Sequence, residues 1–141
     1  MQKLKCTLLV DDDATTNFLN SKLLERLGVT DALLVAQDGR QALDLVMSHC
    51  QGATPDCPAL ILLDVKMPIM DGFEFLEAYG QLPLQHLHDA IIIVMLTTSL
   101  HPQDVQRVQE LNIAGFPNKP LTREKINGIL EAHFNRHLPS S

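Results

Sequence analysis

No apolar run in this chain approaches the ~20 residues that a bilayer-spanning helix needs, which excludes a transmembrane helix from the sequence pattern. Positive charge is scarce as well. Eleven Lys and Arg stand against 17 Asp and Glu, a net charge of −6, which argues against nucleic acid or an anionic membrane as partner. Aromatics make up 4% of the chain, and Phe73 and Phe75 fall at helix and core positions rather than forming a stacking platform. Cysteine is limited to Cys6, Cys50 and Cys57. An odd count without the density of a disulfide scaffold favours a reducing cytosol. Cys50 and Cys57 flank one loop beside His49, but soft ligands at such loose spacing read as incidental rather than as a zinc site. The six histidines do not cluster at ligand spacing either. There is no internal repeat and no low-complexity tract, and Met1-Gln2-Lys3-Leu4-Lys5 passes straight into a strand pattern without room for a signal peptide. At 141 residues the expectation is one domain with a real core and no second one.

What is present is an alternation of short apolar runs and helical stripes. Strands are predicted at Cys6–Val10, Ala32–Ala36, Ala59–Leu63, Ile91–Leu96 and Gly115–Asn118. Leu19, Leu23 and Leu27 make the first stripe, Ala42, Leu45 and Val46 the second, and Phe73, Leu76 and Tyr79 the third. Val105, Val108 and Leu111 make a fourth, and Ile126, Ile129, Leu130, His133 and Phe134 a fifth. Gly28 reads as a helix C-cap, Asp38-Gly39 as a turn into a helix, and Thr122 as an N-cap. Ser99 or His101 precedes Pro102 at the expected start of the fourth helix. Five βα repeats in 141 residues imply an α/β, doubly wound parallel sheet with helices on both faces.

Chemistry gathers at the strand ends. Asp64 closes the run Leu60-Ile61-Leu62-Leu63, and Pro68 with Asp71-Gly72 breaks the chain before a helix can continue. Asp11-Asp12-Asp13 follows Leu8-Leu9-Val10 in the same way. Open α/β sheets bind ligands at such carboxyl ends. Like charges brought together there call for a hard divalent cation, although caps and solvated loop charges would also account for the acids taken alone. Thr97-Thr98-Ser99 ends the fourth predicted strand in hydroxyls, and Lys119-Pro120 ends the fifth with a cation. Carboxylates, a metal, a hydroxyl and an ammonium together equip a pocket for a phosphoryl group.

On these residues the chain resembles the response-regulator receiver family, in the form of a stand-alone, chemotaxis-type single-domain regulator. The resemblance is carried by Val10-Asp11-Asp12, by Leu63 to Gly72 (Asp64-Val65-Lys66-Met67-Pro68-Ile69-Met70-Asp71-Gly72), by Thr97, and by Phe116-Pro117-Asn118-Lys119-Pro120. It implies a five-stranded flavodoxin-like sheet of order 2-1-3-4-5, with one receiver domain over 1–141, a core at about 4–137 and no output domain. It implies that Asp64 accepts a phosphoryl group from a sensor histidine kinase or a histidine phosphotransfer protein. Asp12, Asp64 and the backbone carbonyl of Lys66 would hold Mg2+, with Asp11 helping through water. Lys119 would pair with the phosphate, and Thr97 would move toward it and draw Phe116 inward. Thr98, where the family usually has a small residue, would narrow the path to the site, and Lys66 and Ser99 would tune hydrolysis. The output would be a changed surface of the fourth helix, fifth strand and fifth helix that regulates a downstream protein. Such a protein is cytoplasmic, a monomer or a phosphorylation-dependent dimer, and an enzyme only toward its own aspartyl phosphate.

One other class fits a single motif. Asp11-Asp12-Asp13-Ala14-Thr15 satisfies the Asp-x-Asp-x-Thr pattern of haloacid-dehalogenase-type phosphatases, with Asp11 as nucleophile and Asp13 as general acid. That family needs an acidic pair on a later strand, whereas after Lys119 this chain has only Glu124 and Glu131. A flavodoxin-like fold with no phosphorylation is the bland alternative.

Overall fold

A computed structural model of the chain describes residues 2–50, 57–82, 91–96, 106–107, 110 and 113–138. Among them the sheet has four parallel strands: β1 (Leu4–Val10), β2 (Thr30–Ala36), β3 (Leu60–Asp64) and β4 (Ile92–Leu96), in the order β2-β1-β3-β4. Four helices accompany them: α1 (Ala14–Leu27), α2 (Gly39–His49), α3 (Gly72–Gly80) and α4 (Arg123–Phe134). Gln106, Arg107 and Glu110 are helical too, within the fourth predicted stripe, whose Val105, Val108 and Leu111 lie outside the described residues.

The apolar side chains divide by strand alternation. Leu8, Val10, Ile61, Leu63, Ile93 and Met95 face α2 and α3 and pack with Val46, Phe73, Phe75 and Tyr79. Leu9, Leu62, Val94 and Leu96 face the other way and pack with Leu24 of α1 and Ile126 and Leu130 of α4. β3 is buried along its whole length, as a central parallel strand should be. The helices start where the sequence placed their caps. Asp38 accepts from the Gln41 N–H, Thr122 from the Lys125 N–H, and Gly28 ends α1 at φ 67°, a left-handed conformation that glycine adopts without strain.

Two expectations are met in part. The predicted fifth strand, Gly115–Asn118, shows bridge residues at both its ends, Gly115 and Asn118; Gly115 pairs in parallel with Val94 of β4, and the chain directly beyond Leu96 lies outside the described residues. The Gly115 carbonyl accepts from the Met95 N–H at 2.9 Å and the Ala114 N–H donates to the Ile93 carbonyl at 2.8 Å. The sheet order agrees with the first four places of the expected one. In α1, Leu23 and Leu27 of the predicted stripe are half-buried against the core, Leu19 is 59% exposed, and the fully buried positions are Leu24 and Asn17. Asn17 and Leu24 lie seven positions apart, two helical turns, and so share a face.

A further feature departs from the cysteine count. Cys50, capping α2, is disulfide-bonded to Cys57, ahead of β3, so neither thiol is free to hold zinc with His49. Cys6 stays reduced and buried.

Candidate functional site

β1 and β3 are adjacent in the sheet, so their carboxyl ends deliver Asp11 and Asp64 to one place. Asp12 joins them from the first turn after β1. One carboxylate oxygen from each of Asp11, Asp12 and Asp64 lies within 4.8 Å of the others. Asp11 and Asp64 are buried and Asp12 is exposed, so the cluster is closed on the protein side and open to solvent on the other. An all-oxygen set of this size, with one face open to water, suits a magnesium ion that keeps part of its hydration shell.

Lys119 reaches the cluster from the segment beyond Gly115. Its Nζ donates to Asp11 Oδ2 at 2.6 Å and lies 3.1 Å from Asp64 Oδ1. That segment is held by α4, where Lys125 Nζ donates to the carbonyls of Asn118 (2.6 Å) and Pro120 (2.9 Å). The Lys119-Pro120 peptide is cis. Burial, and then the charge of Asp11, push the Asp64 carboxyl above its ordinary range, against the opposing pull of Lys119. Burial by itself would lower the Lys119 ammonium, but its bond to Asp11 and the charges of Asp64 and Asp11 outweigh that and raise it. The pair is arranged to keep a positive charge between two buried negative ones.

Backbone contacts fix the two key carboxylates. The Asp13 N–H donates to Asp11 Oδ1 and the Val65 N–H to Asp64 Oδ1, each at 2.9 Å. Asn17, on the buried face of α1, donates from Nδ2 to the carbonyls of Asp11 (2.8 Å) and Ala36 (3.2 Å), tying the ends of β1 and β2 together. Asn17 and Lys125 escaped the sequence reading because both act on main-chain carbonyls, which periodicity does not mark. Only the seven-residue step from Asn17 to Leu24 hints that the asparagine is buried.

The site is closed below by α3. The Gly72 N–H donates to the Val65 carbonyl at 2.9 Å, and a Cβ on Gly72 would sit 2.5 Å from the Asp64 carbonyl oxygen. α2 touches the loop after Asp64 in the same fashion. The Gly39 N–H donates to Met70 O at 2.8 Å, and a Cβ there would lie 2.7 Å from that oxygen. Ile69 in this loop is 81% exposed at φ 69°, an uncommon conformation for a β-branched residue.

Of the predicted site residues, Asp11, Asp12, Asp64 and Lys119 come together. Lys66 follows Asp64 with an exposed side chain, and Phe116 is 39% exposed. Thr97, Thr98 and Ser99 lie outside the described residues. Asp13 does not join the cluster as a general acid. It caps α1, accepting from the Thr15 N–H at 3.0 Å and the Thr16 hydroxyl at 2.8 Å, and these bonds hold its carboxyl below the usual range. The phosphatase reading loses its second carboxylate.

Beside the cluster, between α1 and the chain entering α4, lies a cavity of about 370 Å³ lined mainly by Leu19, Leu23, Leu96, Pro120 and Leu121, with Lys119 at its edge. Phe18, next to it on α1, is 59% exposed. No helix among the described residues is long and apolar enough to cross a membrane.

Comparison with known proteins identifies the family and the fold. The family model described as response regulator receiver domain matches residues 7–131. The chain is 33% identical over 133 residues to a probable chemotaxis protein CheY of Rhizobium etli, covering 94% of each protein. It is also 33% identical over 124 residues to a probable methanogenesis regulatory protein, FilR2, of Methanothrix harundinacea, covering 88% of this chain and 77% of that one. A two-component response regulator from Cytophaga hutchinsonii superimposes with a TM-score of 0.83 at 25% identity, over 96% of this chain and 100% of that one.

Proposed function

Because the chain belongs to the response regulator receiver family, the switch module of two-component and phosphorelay signalling, we propose that Asp64 is its phosphoryl acceptor and that the donor is a phosphohistidine on a histidine kinase or phosphotransfer protein. The observation that carries the reading is Lys119 Nζ at 2.6 Å from Asp11 and 3.1 Å from Asp64, within a cluster of three carboxylates. In the transfer, an Asp64 carboxylate oxygen forms the new O–P bond while the N–P bond of the donor breaks. The leaving imidazole keeps the electron pair and takes up a proton. Lys119 neutralises oxygens of the arriving group, and the Val65 N–H keeps Asp64 oriented. Asp11, Asp12, Asp64 and the Lys66 carbonyl fit magnesium, whose charge would offset that of the phosphoryl oxygens. The apolar cavity beside Leu19 and the exposed Phe18 suit a helix of the donor protein, next to the acceptor.

Downstream, Thr97 and Lys119 are the partners available to the added charge of about −1.5 to −2. Movement of Thr97 opens room for Phe116, whose apolar ring can turn inward without stranding a buried hydroxyl. A partner protein then reads the surface of Pro102–Leu111, Gly115–Asn118 and Thr122–Phe134. Thr98 narrows access to the acceptor, and Lys66 and Ser99 flank the path of attacking water. We place the protein in the cytoplasm, acting as a monomer or a phosphorylation-dependent dimer without catalysing any reaction but its own phosphorylation and dephosphorylation.

Acetyl phosphate with magnesium should add one phosphoryl group to the intact protein, and Asp64→Asn should take up none. A phosphoryl group found on Asp11 by mass spectrometry would revive the phosphatase reading. With beryllofluoride as the mimic, amide NMR shifts should reach Phe116 and α4. Shifts confined to the Asp64 pocket would remove the proposed output surface.

A further inference from the structure

The Cys50–Cys57 disulfide lies outside the phosphoacceptor machinery, and the helix it anchors does not. α2 is tied at both ends to the chain around β3. At its C-terminal end Cys50, wholly buried in the core cluster of Val46, Ile61 and Phe75, is bonded to Cys57 before the strand begins. At its N-terminal end the Gly39 N–H donates to Met70 O at 2.8 Å, in the loop that follows Asp64. The contact at Gly39 has no slack, since even a Cβ would fall 2.7 Å from that oxygen.

β3 itself is held without the disulfide. The Ala59 N–H donates to Cys6 O at 2.9 Å, and the Ala59 carbonyl accepts from the Ile92 N–H at 3.0 Å. Breaking the S–S bond therefore removes the covalent tie at the C-terminal end of α2, leaves that end held by packing, and leaves the strand in place. An 11-residue helix moves largely as a rod about 16 Å long, so a shift at this end carries to the other, which grips the loop carrying Ile69 at φ 69°. In a reducing compartment a disulfide is transient and most often catalytic or redox-sensing.

We propose that Cys50–Cys57 is a thiol–disulfide exchange site for a dithiol reductant, and that its redox state, acting through α2 and the Gly39–Met70 contact, sets the rate at which Asp64 is phosphorylated. The inference rests on Asp64 being the acceptor. A thiolate of the dithiol attacks Cys57, the half-buried member of the pair. The S–S bond breaks and Cys50 leaves as a thiolate that is then protonated. The second thiol of the reductant attacks the mixed disulfide and releases Cys57. Two electrons pass to the protein, and the reductant leaves as its own disulfide.

Dithiothreitol is the probe, with the native full-length chain. Alkylation after denaturation should label one cysteine in the oxidised protein, Cys6, and all three after native treatment with the dithiol. Reduction should speed amide exchange at Gly39 and slow acetyl-phosphate labelling of Asp64 by about fivefold, the low end of ordinary site-to-site coupling. Reoxidation should reverse both. A Cys50→Ala/Cys57→Ala variant should behave as the reduced protein and ignore dithiothreitol. Resistance of the disulfide to native reduction would overturn the exchange site, and equal labelling rates in the two redox forms would overturn its coupling to Asp64. Absence of label in both forms would overturn the acceptor reading instead, and Gly39 exchange would still decide whether the disulfide controls the α2 contact.

Discussion

Lys119 and a divalent cation answer the same electrostatic need, the neutralisation of Asp11 and Asp64. The lysine sits 2.6 Å and 3.1 Å from the two carboxylates, so a metal that binds them competes with its charge. Lys119→Met should therefore bind magnesium more tightly, by about tenfold, in keeping with the ~1.5–3 kcal/mol of a hydrogen bond to a charged group. The same variant should be phosphorylated far more slowly. Calorimetric titration checks the first effect, and weaker magnesium binding in Lys119→Met would mean that the lysine organises the carboxylates instead of competing for them. Asp12→Asn removes the exposed member of the cluster and should weaken magnesium at least tenfold. Unchanged affinity would take Asp12 out of the ligand set. At this scale Asp11, Asp12, Asp64 and Lys119 were legible because charge at the end of an apolar strand has no place in a core. Asn17 and Lys125 were not, because their partners are carbonyls of Asp11, Ala36, Asn118 and Pro120, invisible in a string of side chains.

The elements around the site behave as stops that hold its loops in place. Asp71 and Glu74 form a reciprocal capping box at the start of α3, and Gly72 between them packs on the backbone of Asp64. Gly72→Ala would press a methyl group to 2.5 Å from a carbonyl oxygen, which must shift either α3 or the acceptor. We expect a loss of about 1–3 kcal/mol, the usual cost of overpacking, read as a lower denaturant midpoint, together with slower phosphorylation of Asp64. Asp71→Ala should cost ~1 kcal/mol through the lost cap and affect phosphorylation less, because the Gly72–Val65 bond remains. A larger loss for the cap than for the glycine would reverse this ranking of the two contacts. The strands were readable because β3 and β4 are short, almost continuous apolar runs bounded by turn residues, and the caps because Asp38, Gly28 and Thr122 each have a distinct local role. The first stripe is right at Leu23 and Leu27, which pack on the core, and wrong at Leu19, which lines the cavity beside Lys119. The edge strand at Gly115 is followed only at its bridge residues, Gly115 and Asn118, because the chain directly beyond Leu96 lies outside the described residues.

At the scale of the whole molecule, the strand-end charges couple folding to pH. Asp64 has its carboxyl raised above the ordinary 3.8 by burial and by Asp11, so in the absence of bound cation the folded chain holds this proton more firmly than the unfolded one. That contribution to stability is complete below the ordinary value and is lost as pH rises through the raised one. Magnesium needs the carboxylate ionised, so its stabilising increment must have the opposite slope: small near 3.8 and growing as pH rises through the same window. Subtracting melts with and without magnesium at each pH cancels the carboxylates outside the cluster, including Asp13, whose lowered value gives a contribution lost on the acid side. The difference in melting temperature should therefore rise with a midpoint above that of an ordinary aspartate. In Asp64→Asn the increment should be smaller, and the part of its rise that follows the raised Asp64 carboxyl should be absent. An increment with the same size and midpoint in both proteins would mean that the cation is held without Asp64, and that burial of this carboxylate serves some end other than metal binding.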